Sequence, residues 1–409
     1  MTILGQSASA DLLARRAGRI DDELDQAAAD GWLVYDFRGS NPAFGRLLGS
    51  GLPSSTRRAF LYIPRDGEPR LLIHHVDAGN FSRLGLDVRR YGGRDEMVAA
   101  LTTLLGAARR VLMEYSPGNA IPYVSRVDGG TLDLVRAMGI EVLSSADALA
   151  SVVAAWDSAD IASHQRAAQA LDRCKDGLFS AIRSRLAIGS EWTELEAQQH
   201  LVTLMHDEGL EFDHPPVVAV GPHAGDPHYA PAADVALPIR PGALVLTDLW
   251  AREARRPDGG DGAYADITWV ATAADSPPDE LVRAWQAVRD ARDAAVRLIE
   301  ARLAATEPVQ GAEVDRAARS VIQAAGYGWA FTHRTGHSIG WQGPHGDGVN
   351  IDDYESHDSR WLRPGASFSI EPGVYLPTFG VRSEINLVIT PGNAVRVTTP
   401  VQQELVRLV

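Results

Sequence analysis

Apolar and polar positions alternate in two different ways along the first 155 residues. Helical spacing of apolar residues predicts helices over 8–29, 96–108 and 130–138. Short apolar runs predict strands at 32–35, 59–63, 70–74, 110–115 and 140–143. Helices and strands that alternate over about 150 residues are typical of an α/β domain. We therefore predict an N-terminal α/β domain over residues 1–155.

The pattern changes after residue 155. Two amphipathic stretches predict helices over 157–183 and 192–207, the second with Ser190 as its N-cap. Strand-like runs follow at 217–220, 244–250, 264–271, 367–371, 381–389 and 395–398, with helical patterns at 279–304 and 311–325. Helices thus come in blocks between groups of strands. This order favours an α+β domain with a mainly antiparallel sheet over residues 156–409.

Composition excludes several function classes. The 409 residues carry a formal net charge of −14, which repels a phosphate backbone and argues against a nucleic-acid partner. Lys175 is the only lysine, in a context that fits neither a Walker A loop nor a Schiff base. Cys174 is the only cysteine, which excludes an intramolecular disulfide and a cysteine zinc cluster. The N-terminus and the short apolar runs predict a cytoplasmic protein without a membrane partner.

Four carboxylates lie on or beside apolar strands of the second domain. They are Asp248, Asp266, Glu371 and Glu384. A buried carboxylate is costly unless it is paired or coordinated, and each one alone is explained by a strand-end cap or an arginine partner. Four together repel one another, so the set favours a cation that compensates them.

The imidazole candidate for such a site is His337, which lies between Gly336 and Gly340. Flanking glycines permit the close backbone approach that a ligand on a turn requires. Carboxylate oxygens with one imidazole suit manganese, cobalt, zinc or iron.

Five blocks in this order resemble the pita-bread (M24) metallopeptidases, the group of creatinase, aminopeptidase P, prolidase and methionine aminopeptidase. The blocks lie at 220–229, 247–268, 336–340, 371–375 and 380–384. The resemblance covers almost all of the chain after residue 155. It implies a creatinase-like N-terminal α/β domain followed by an α+β pita-bread catalytic domain.

The resemblance also implies a ligand set for two divalent metal ions, most often Mn²⁺, with Co²⁺, Zn²⁺ or Fe²⁺ as alternatives. Asp266 and Glu384 would bridge the ions, Asp248 would complete one, and His337 with Glu371 would complete the other. Two close cations activate a water and polarise the scissile carbonyl. Glu371 is then the candidate to carry the proton to the leaving amine.

Four further residues resemble substrate-binding positions of the family. His228 and His345 match its two outer histidines, which line the substrate site and stabilise the tetrahedral intermediate, while His223 competes with His228. Arg382 matches an arginine that approaches the substrate carboxylate, although balancing the metal-site acids is an alternative role for it. Arg360 is a second candidate carboxylate anchor.

The sequence departs from the family pattern between the two aspartates. They are 18 positions apart (266 − 248), longer than the family usually shows, because 252–262 inserts a polar loop. Asp258 and Asp261 in this loop are expected to be solvated acids outside the site. Trp269 stands where the family usually has arginine, and Ile385 where it often has an acid. These changes leave the ligands intact and affect the residues around them.

The leading hypothesis is a metal-dependent exopeptidase that cleaves Xaa-Pro bonds in small peptides, with a slight preference for a prolidase-like dipeptidase. The first alternative is an aminopeptidase P that acts on longer peptides. A non-peptidase amidinohydrolase or lyase keeps the fold, but creatinase itself lacks the metal ligands. A catalytically silent binding module is a different class, and such modules usually lose ligands. The resemblance further implies a homodimer.

Overall fold

The computed structural model describes residues 8–49 and 55–409, and the chain divides between Val153 and Ala154 into two compact units. In the described residues no helix combines the length and the apolar character needed to cross a membrane.

The first unit is a mixed sheet with helices. Its strands are β1 (Gly31–Phe37), β2 (Arg58–Pro64), β3 (Arg70–His74), β4 (Asp87–Tyr91), β5 (Arg110–Met113) and β6 (Glu141–Ser144). Its α-helices are α1 (Ala8–Gln26), α2 (Pro42–Leu48), α3 (Arg94–Leu105), α4 (Gly129–Ala137) and the short α5 (Ala146–Ala148).

The strand order of this sheet is β4-β3-β2-β1-β5-β6. The strands β1, β2 and β3 pair antiparallel, whereas β4, β5 and β6 join by parallel pairing. Successive side chains point to opposite faces, so Trp32 and Val34 belong to one apolar cluster and Leu33 and Tyr35 to another. The sheet is therefore covered on both faces, as its nearly continuous apolar strands predict.

The second unit contains four α-helices and two larger groups of strands. The helices are α6 (Ser158–Ala187), α7 (Glu194–Asp207), α8 (Asp279–Ala304) and α9 (Gly311–Ala324). The earlier strands are β7 (Trp192–Thr193), β8 (Leu210–Glu211), β9 (Val217–Val220), β10 (Pro238–Ile239), β11 (Leu244–Glu253) and β12 (Ala265–Thr272). The later strands are β13 (Ser367–Ile370), β14 (Gly373–Leu376), β15 (Phe379–Arg382), β16 (Ile385–Ile389), β17 (Val395–Val397) and β18 (Val406–Arg407).

The two long helices α6 and α7 begin at capping boxes. Asp157 caps α6 with Asp160 as the reciprocal acid, and Thr193 caps α7 with Glu196. The prediction that Ser190 caps α7 is wrong, because the Thr193 hydroxyl lies 3.2 Å from the Glu196 amide that it caps. Apolar residues of both helices join those of β11 and β12 in one core cluster, which also contains Cys174 as a buried apolar residue.

The strands of the second unit pair mainly antiparallel. β11 pairs with both β9 and β12, β13 pairs with β16, and β14 forms a hairpin with β15. The single strand predicted over 381–389 is two strands, β15 and β16, with Ser383 and Glu384 between them. The Ser383 amide donates to Pro372 and the Glu384 amide donates to Thr268, so the backbone changes partner there and turns the Glu384 side chain inward.

Candidate metal centre

The pairing of β11 with β12 places two aspartates beside each other. Asp248 lies opposite Thr268, and Asp266 lies opposite Trp250. Residues offset by two positions across an antiparallel pair share a face, so both carboxylates project to the same side. The Thr268 Oγ1 lies 2.6 Å from Asp248 Oδ1 and 2.9 Å from Glu384 Oε2, and it joins the third acid to this face.

His337 reaches the same place through close backbone contacts. The Ser369 amide donates to the His337 carbonyl at 2.8 Å, and the His337 amide donates to Ser369 Oγ at 2.9 Å. A Cβ on Gly336 would overlap the Ser369 carbonyl, which explains the glycine before the histidine. The histidine Nδ1 lies 3.0 Å from the Ser338 carbonyl, which assigns the ring proton to Nδ1 and leaves Nε2 as an electron-pair donor.

Three carboxylates surround that nitrogen. His337 Nε2 lies 3.4 Å from Glu371 Oε1, 3.6 Å from Asp266 Oδ2 and 4.0 Å from Glu384 Oε1. The ligand atoms of Asp266, His337 and Glu384 all lie within 4.8 Å of one another. Glu371 is oriented by Ser369 Oγ, which donates to its Oε1 at 3.1 Å. A set of oxygen and nitrogen donors at these separations fits a divalent metal ion.

The pKa shifts of two buried acids favour the binding of a positive charge among them. Burial first, and then the neighbouring charge of Asp248, raises the pKa of Asp266 well above its usual value. Burial and the charge of Asp266 do the same to the pKa of Glu384. Among the described residues, Asp266 Oδ1 and Glu384 Oε1 are buried without a hydrogen-bond partner. Divalent ions would satisfy these oxygens and lower both pKa values.

The pKa of Glu371 shifts in the opposite direction. Burial raises the pKa of its carboxyl, but the charges of His337, His333 and Arg382 outweigh burial and hold that pKa below its usual value. Burial lowers the pKa of His337 and so favours the neutral ring that binds metals. A carboxylate at Glu371 and a neutral ring at His337 are the forms that metal ligation requires.

Arg382 lies inside the cluster and contacts one of the predicted ligands. Its Nη2 donates to Asp248 Oδ2 at 2.5 Å and its Nε to Thr268 Oγ1 at 2.9 Å. Its Nη1 donates to the Tyr375 hydroxyl at 3.2 Å. These contacts correspond to the alternative role, in which the guanidinium balances the acids of the site.

The two outer histidines differ in position. His345 packs edge-on against His337 with ring centroids 4.3 Å apart, and the charge of His337 followed by burial lowers the pKa of His345 to about 3. His228 is exposed, and its described contact is a backbone hydrogen bond to Asp226. His223 binds the fully buried Glu194 at 2.9 Å, which assigns this competing histidine to an internal hydrogen-bond network.

Arg360 is separated from the cluster by its own ion pair. Its Nε and Nη2 donate to the two oxygens of Asp358 at 2.9 and 2.6 Å, and its Nη1 donates to the Asp347 carbonyl. The residue is 1% exposed. The guanidinium of Arg360, which the sequence offered as a second anchor for the substrate carboxylate, is thus engaged internally with Asp358. Asp258 and Asp261 are exposed acids bound to or near arginines of their own loop.

Three residues of the site were missed in the sequence. His333 Nε2 lies 2.7 Å from the Tyr375 hydroxyl, which in turn accepts from Arg382. Thr268 connects two of the acids through its hydroxyl. The sequence offers no periodic signal for His333, because residues 333–337 form neither a helix nor a strand.

Comparison with known proteins gives the same family as the site. The model of metallopeptidase family M24 matches residues 162–391, more than half of the chain. The chain belongs to metallopeptidase family M24. Both the predicted family and the predicted two-domain fold class are thereby confirmed.

This M24 chain is similar to proteins named as dipeptidases and to a solved dipeptidase structure. It is 25% identical over 358 residues to "Probable dipeptidase PepE" of Mycobacterium tuberculosis, covering 86% of each chain. It is 32% identical over 216 residues to an Xaa-Pro dipeptidase of Lactobacillus helveticus, covering 52% of this chain and 51% of the relative. The solved dipeptidase PepE of Mycobacterium ulcerans superposes with a TM-score of 0.69 at 25% identity and 98% coverage of both chains.

Proposed function

We propose that this M24 protein is an exopeptidase that hydrolyses Xaa-Pro bonds with two divalent metal ions. The observation that carries the proposal is the convergence of Asp266, Glu371 and Glu384 on His337, with two buried carboxylate oxygens that have no hydrogen-bond partner among the described residues. Such oxygens are costly in a protein interior unless a cation binds them.

The proposed ligands are divided between the two ions. Asp266 and Glu384 would be shared by both ions, Asp248 would complete one, and His337 with Glu371 would complete the other. The bound ions supply an activated water and an electrophile for the scissile carbonyl. The absence of hydrogen-bond partners on Asp266 Oδ1 and Glu384 Oε1 among the described residues supports metal ligation by both acids, because these two oxygens are available to the ions.

The remaining residues act on the substrate and its protons. Glu371, held by Ser369, receives a proton from the attacking water and delivers it to the leaving amine. His345, beside His337, and the exposed His228 bind the reacting carbonyl and the peptide. Arg382 compensates Asp248, and its contacts support this role over capture of the substrate carboxylate. Arg360, engaged with Asp358, is left out of the proposed substrate site.

A dipeptidase is proposed ahead of an aminopeptidase P. The names of two relatives, a probable dipeptidase and an Xaa-Pro dipeptidase, support this preference. Rates of proline release from Ala-Pro and of cleavage of Ala-Pro-Ala would separate the two activities. We expect the dipeptide to be the better substrate by kcat/KM, and preferential turnover of the tripeptide would assign an aminopeptidase instead.

Manganese, a homodimer and a cytoplasmic location complete the proposal. The first two rest on the family resemblance, and the location rests on the short apolar runs of the sequence. Metal analysis after reconstitution with Mn²⁺ is expected to give two ions per chain. Sedimentation of the purified protein is expected to give the mass of two chains. Less than one ion per chain, together with no peptidase activity, would favour the amidinohydrolase, lyase or silent-module alternatives.

A further inference from the structure

The connection between β11 and β12 carries an element that the proposed chemistry does not use. We call residues 252–264, from the end of β11 to the start of β12, the arm. The arm bonds to itself: the Arg256 amide donates to the Gly260 carbonyl at 2.8 Å, and the Gly259 amide donates to the Arg256 carbonyl at 2.9 Å. Asp258 accepts from Arg256 Nε and Nη2 at 3.0 and 2.9 Å. The arm is thus a closed turn that holds the guanidinium of Arg256.

The third nitrogen of that guanidinium leaves the arm. Arg256 Nη1 donates to Asp160 Oδ1 at 2.5 Å. Asp160 is 4% exposed, and the same oxygen accepts from Trp341 Nε1 at 2.7 Å. Burial raises the pKa of Asp160, and hydrogen bonds from the Asp157 amide and the Trp341 indole, together with the charge of Arg256, oppose that rise. Arg256 therefore orients a buried acceptor that fixes the indole of Trp341.

Two further bonds from the arm hold the backbone around Trp341. Arg252 Nη1 donates to the Trp341 carbonyl at 2.7 Å. The Tyr264 amide donates to the Gly340 carbonyl at 3.0 Å. The indole also packs against Trp156, with ring centroids 6.2 Å apart. The segment after Gly340 is thus held at the Trp341 side chain, the Trp341 carbonyl and the Gly340 carbonyl that precedes it.

That segment carries one of the outer histidines. We call residues 341–346 the histidine loop. Gly340 donates to the Pro344 carbonyl, and Gly346 donates to the Ser338 carbonyl at 2.6 Å, so the loop returns directly onto the segment that precedes it. This return places His345 against His337, ring to ring. A Cβ on Gly340 would lie 3.0 Å from the His345 carbonyl, so there is little free space in which the loop could move on its own.

We infer that the arm is a positioning element: through Arg256, Asp160 and Trp341 it sets the position of His345 relative to His337. The inference rests on the proposed function for its effect on catalysis, but its structural part concerns only the described contacts. Small displacements of a catalytic group lower the rate steeply, by up to about 10²-fold per ångström. Arg252, Arg256 and Trp341 are therefore positioning residues.

The experiment compares three variants with the wild-type full chain. Arg256→Ala removes the charge beside Asp160, Trp341→Phe removes the indole donor and part of the ring that packs against Trp156, and Arg256→Lys keeps the charge. Arg173→Ala is the matched control, because Arg173 forms a comparable two-point ion pair with the exposed-surface Glu208. Amide hydrogen exchange is followed in peptides that cover 336–348, alongside kcat, KM for Ala-Pro and metal content.

We expect exchange at the histidine loop to rise about tenfold and kcat to fall about tenfold in Arg256→Ala and in Trp341→Phe, with KM and metal content nearly unchanged. The double variant should lose no more than the larger single effect, because both act through Asp160. Arg256→Lys should recover part of both readouts, and Arg173→Ala should change neither.

Unchanged exchange at the histidine loop, additive kinetic losses, or an equal rise in exchange over the whole unit would overturn the inference. If Arg256→Ala does not fold, Trp341→Phe decides by the same criteria. A wild-type protein that bound no metal and cleaved no Xaa-Pro peptide would remove the proposed function, while the exchange measurement would still test the arm.

Discussion

Both units bury carboxylates, but they treat them differently. In the first unit Asp36 accepts hydrogen bonds from Ser55 Oγ and from the amides of Gly39 and Asn41. In the second unit Asp266 Oδ1 and Glu384 Oε1 are buried with no such partner among the described residues.

Glu114 of the first unit extends the contrast. It is fully buried and accepts from Trp32 Nε1 and Asn41 Nδ2 at 2.7 Å each and from Ser145 Oγ at 3.1 Å. Burial therefore does not mark a functional acid, because a carboxylate surrounded by donors is complete as it stands. The informative feature is a buried oxygen that the protein leaves unsatisfied beside other acids, since only an added cation completes it.

The largest expected effect is on the unsatisfied acids. Asp266→Asn should lower kcat/KM for Ala-Pro by about 10³-fold or more, because losing a bridging ligand removes several kcal/mol of transition-state stabilisation. Metal content should fall with it, as measured on the reconstituted protein. The matched variant Asp36→Asn should retain metal content and lose stability instead. Two ions per chain in Asp266→Asn would remove the distinction between the two acids.

Metal removal should act on the second unit alone. When free metal exceeds its dissociation constant 100-fold, binding adds about 3 kcal/mol to the free energy of unfolding, and chelation removes this amount. Hydrogen exchange before and after chelation should rise in β11, β12 and β16 and stay constant in β1 and β5. The Asp266→Asn protein should be insensitive to chelation. An equal rise in hydrogen exchange in both units would show that metal binding does not distinguish the second unit from the first.

The stability of the first unit should depend on pH through Glu114, the buried acid that is surrounded by hydrogen-bond donors. Burial raises its pKa from 4.5 to about 7 although three side chains donate to it. The native state then holds a proton that the unfolded chain releases above pH 4.5, so stability is full below that pH and declines as pH rises through 7. The decline amounts to about 3 kcal/mol. Denaturant unfolding of the first unit, followed by exchange at β1 and β5, should give this slope in the wild type.

The control for the pH effect is Glu114→Gln, read as a slope and not as absolute stability. Its amide cannot titrate, so the difference in slope from the wild type between pH 4.5 and 7 isolates Glu114. Identical slopes in the two proteins would show that this acid is ionised in the folded state, and the two units would then differ less than the contacts indicate.

The smallest expected effect concerns His333. His333→Gln keeps a polar group near the Tyr375 hydroxyl but loosens the chain of contacts from Tyr375 to Arg382 and Asp248. We expect kcat to fall about tenfold with metal content unchanged, as is typical when a supporting hydrogen bond near a metal ligand is lost. Steady-state kinetics and metal analysis check this. Loss of metal would show instead that His333 holds the ligands themselves.

Much of the site could be predicted because its residues carry local signals. An acid that interrupts an apolar strand, as Asp266 and Glu384 do, is visible without a structure. The glycine before His337 is also visible in the sequence. The structure explains it, because the Ser369 carbonyl occupies the place that a side chain would take. Local patterns failed at the break between β15 and β16, because this apolar run has the same composition whether it forms one strand or two.

The arginines show the limit of sequence reasoning. Both Arg360 and Arg382 were candidates for substrate binding, and both are buried in ion pairs, one with Asp358 and the other with Asp248. Nothing in the linear order distinguishes an arginine that faces substrate from one that compensates an internal acid, because the partner is chosen by packing.

The sequence by itself determined the two-domain class through its periodicity, the family through the resemblance of five blocks, and the candidate acids and histidine through residue type. Only the tertiary structure decided which carboxylate oxygens are left unsatisfied, that Arg382 compensates Asp248, and that the arm braces the loop of His345. The physical reason is that these properties depend on distances between residues up to 181 positions apart, as Asp160 and Trp341 are, and burial makes those distances energetically decisive.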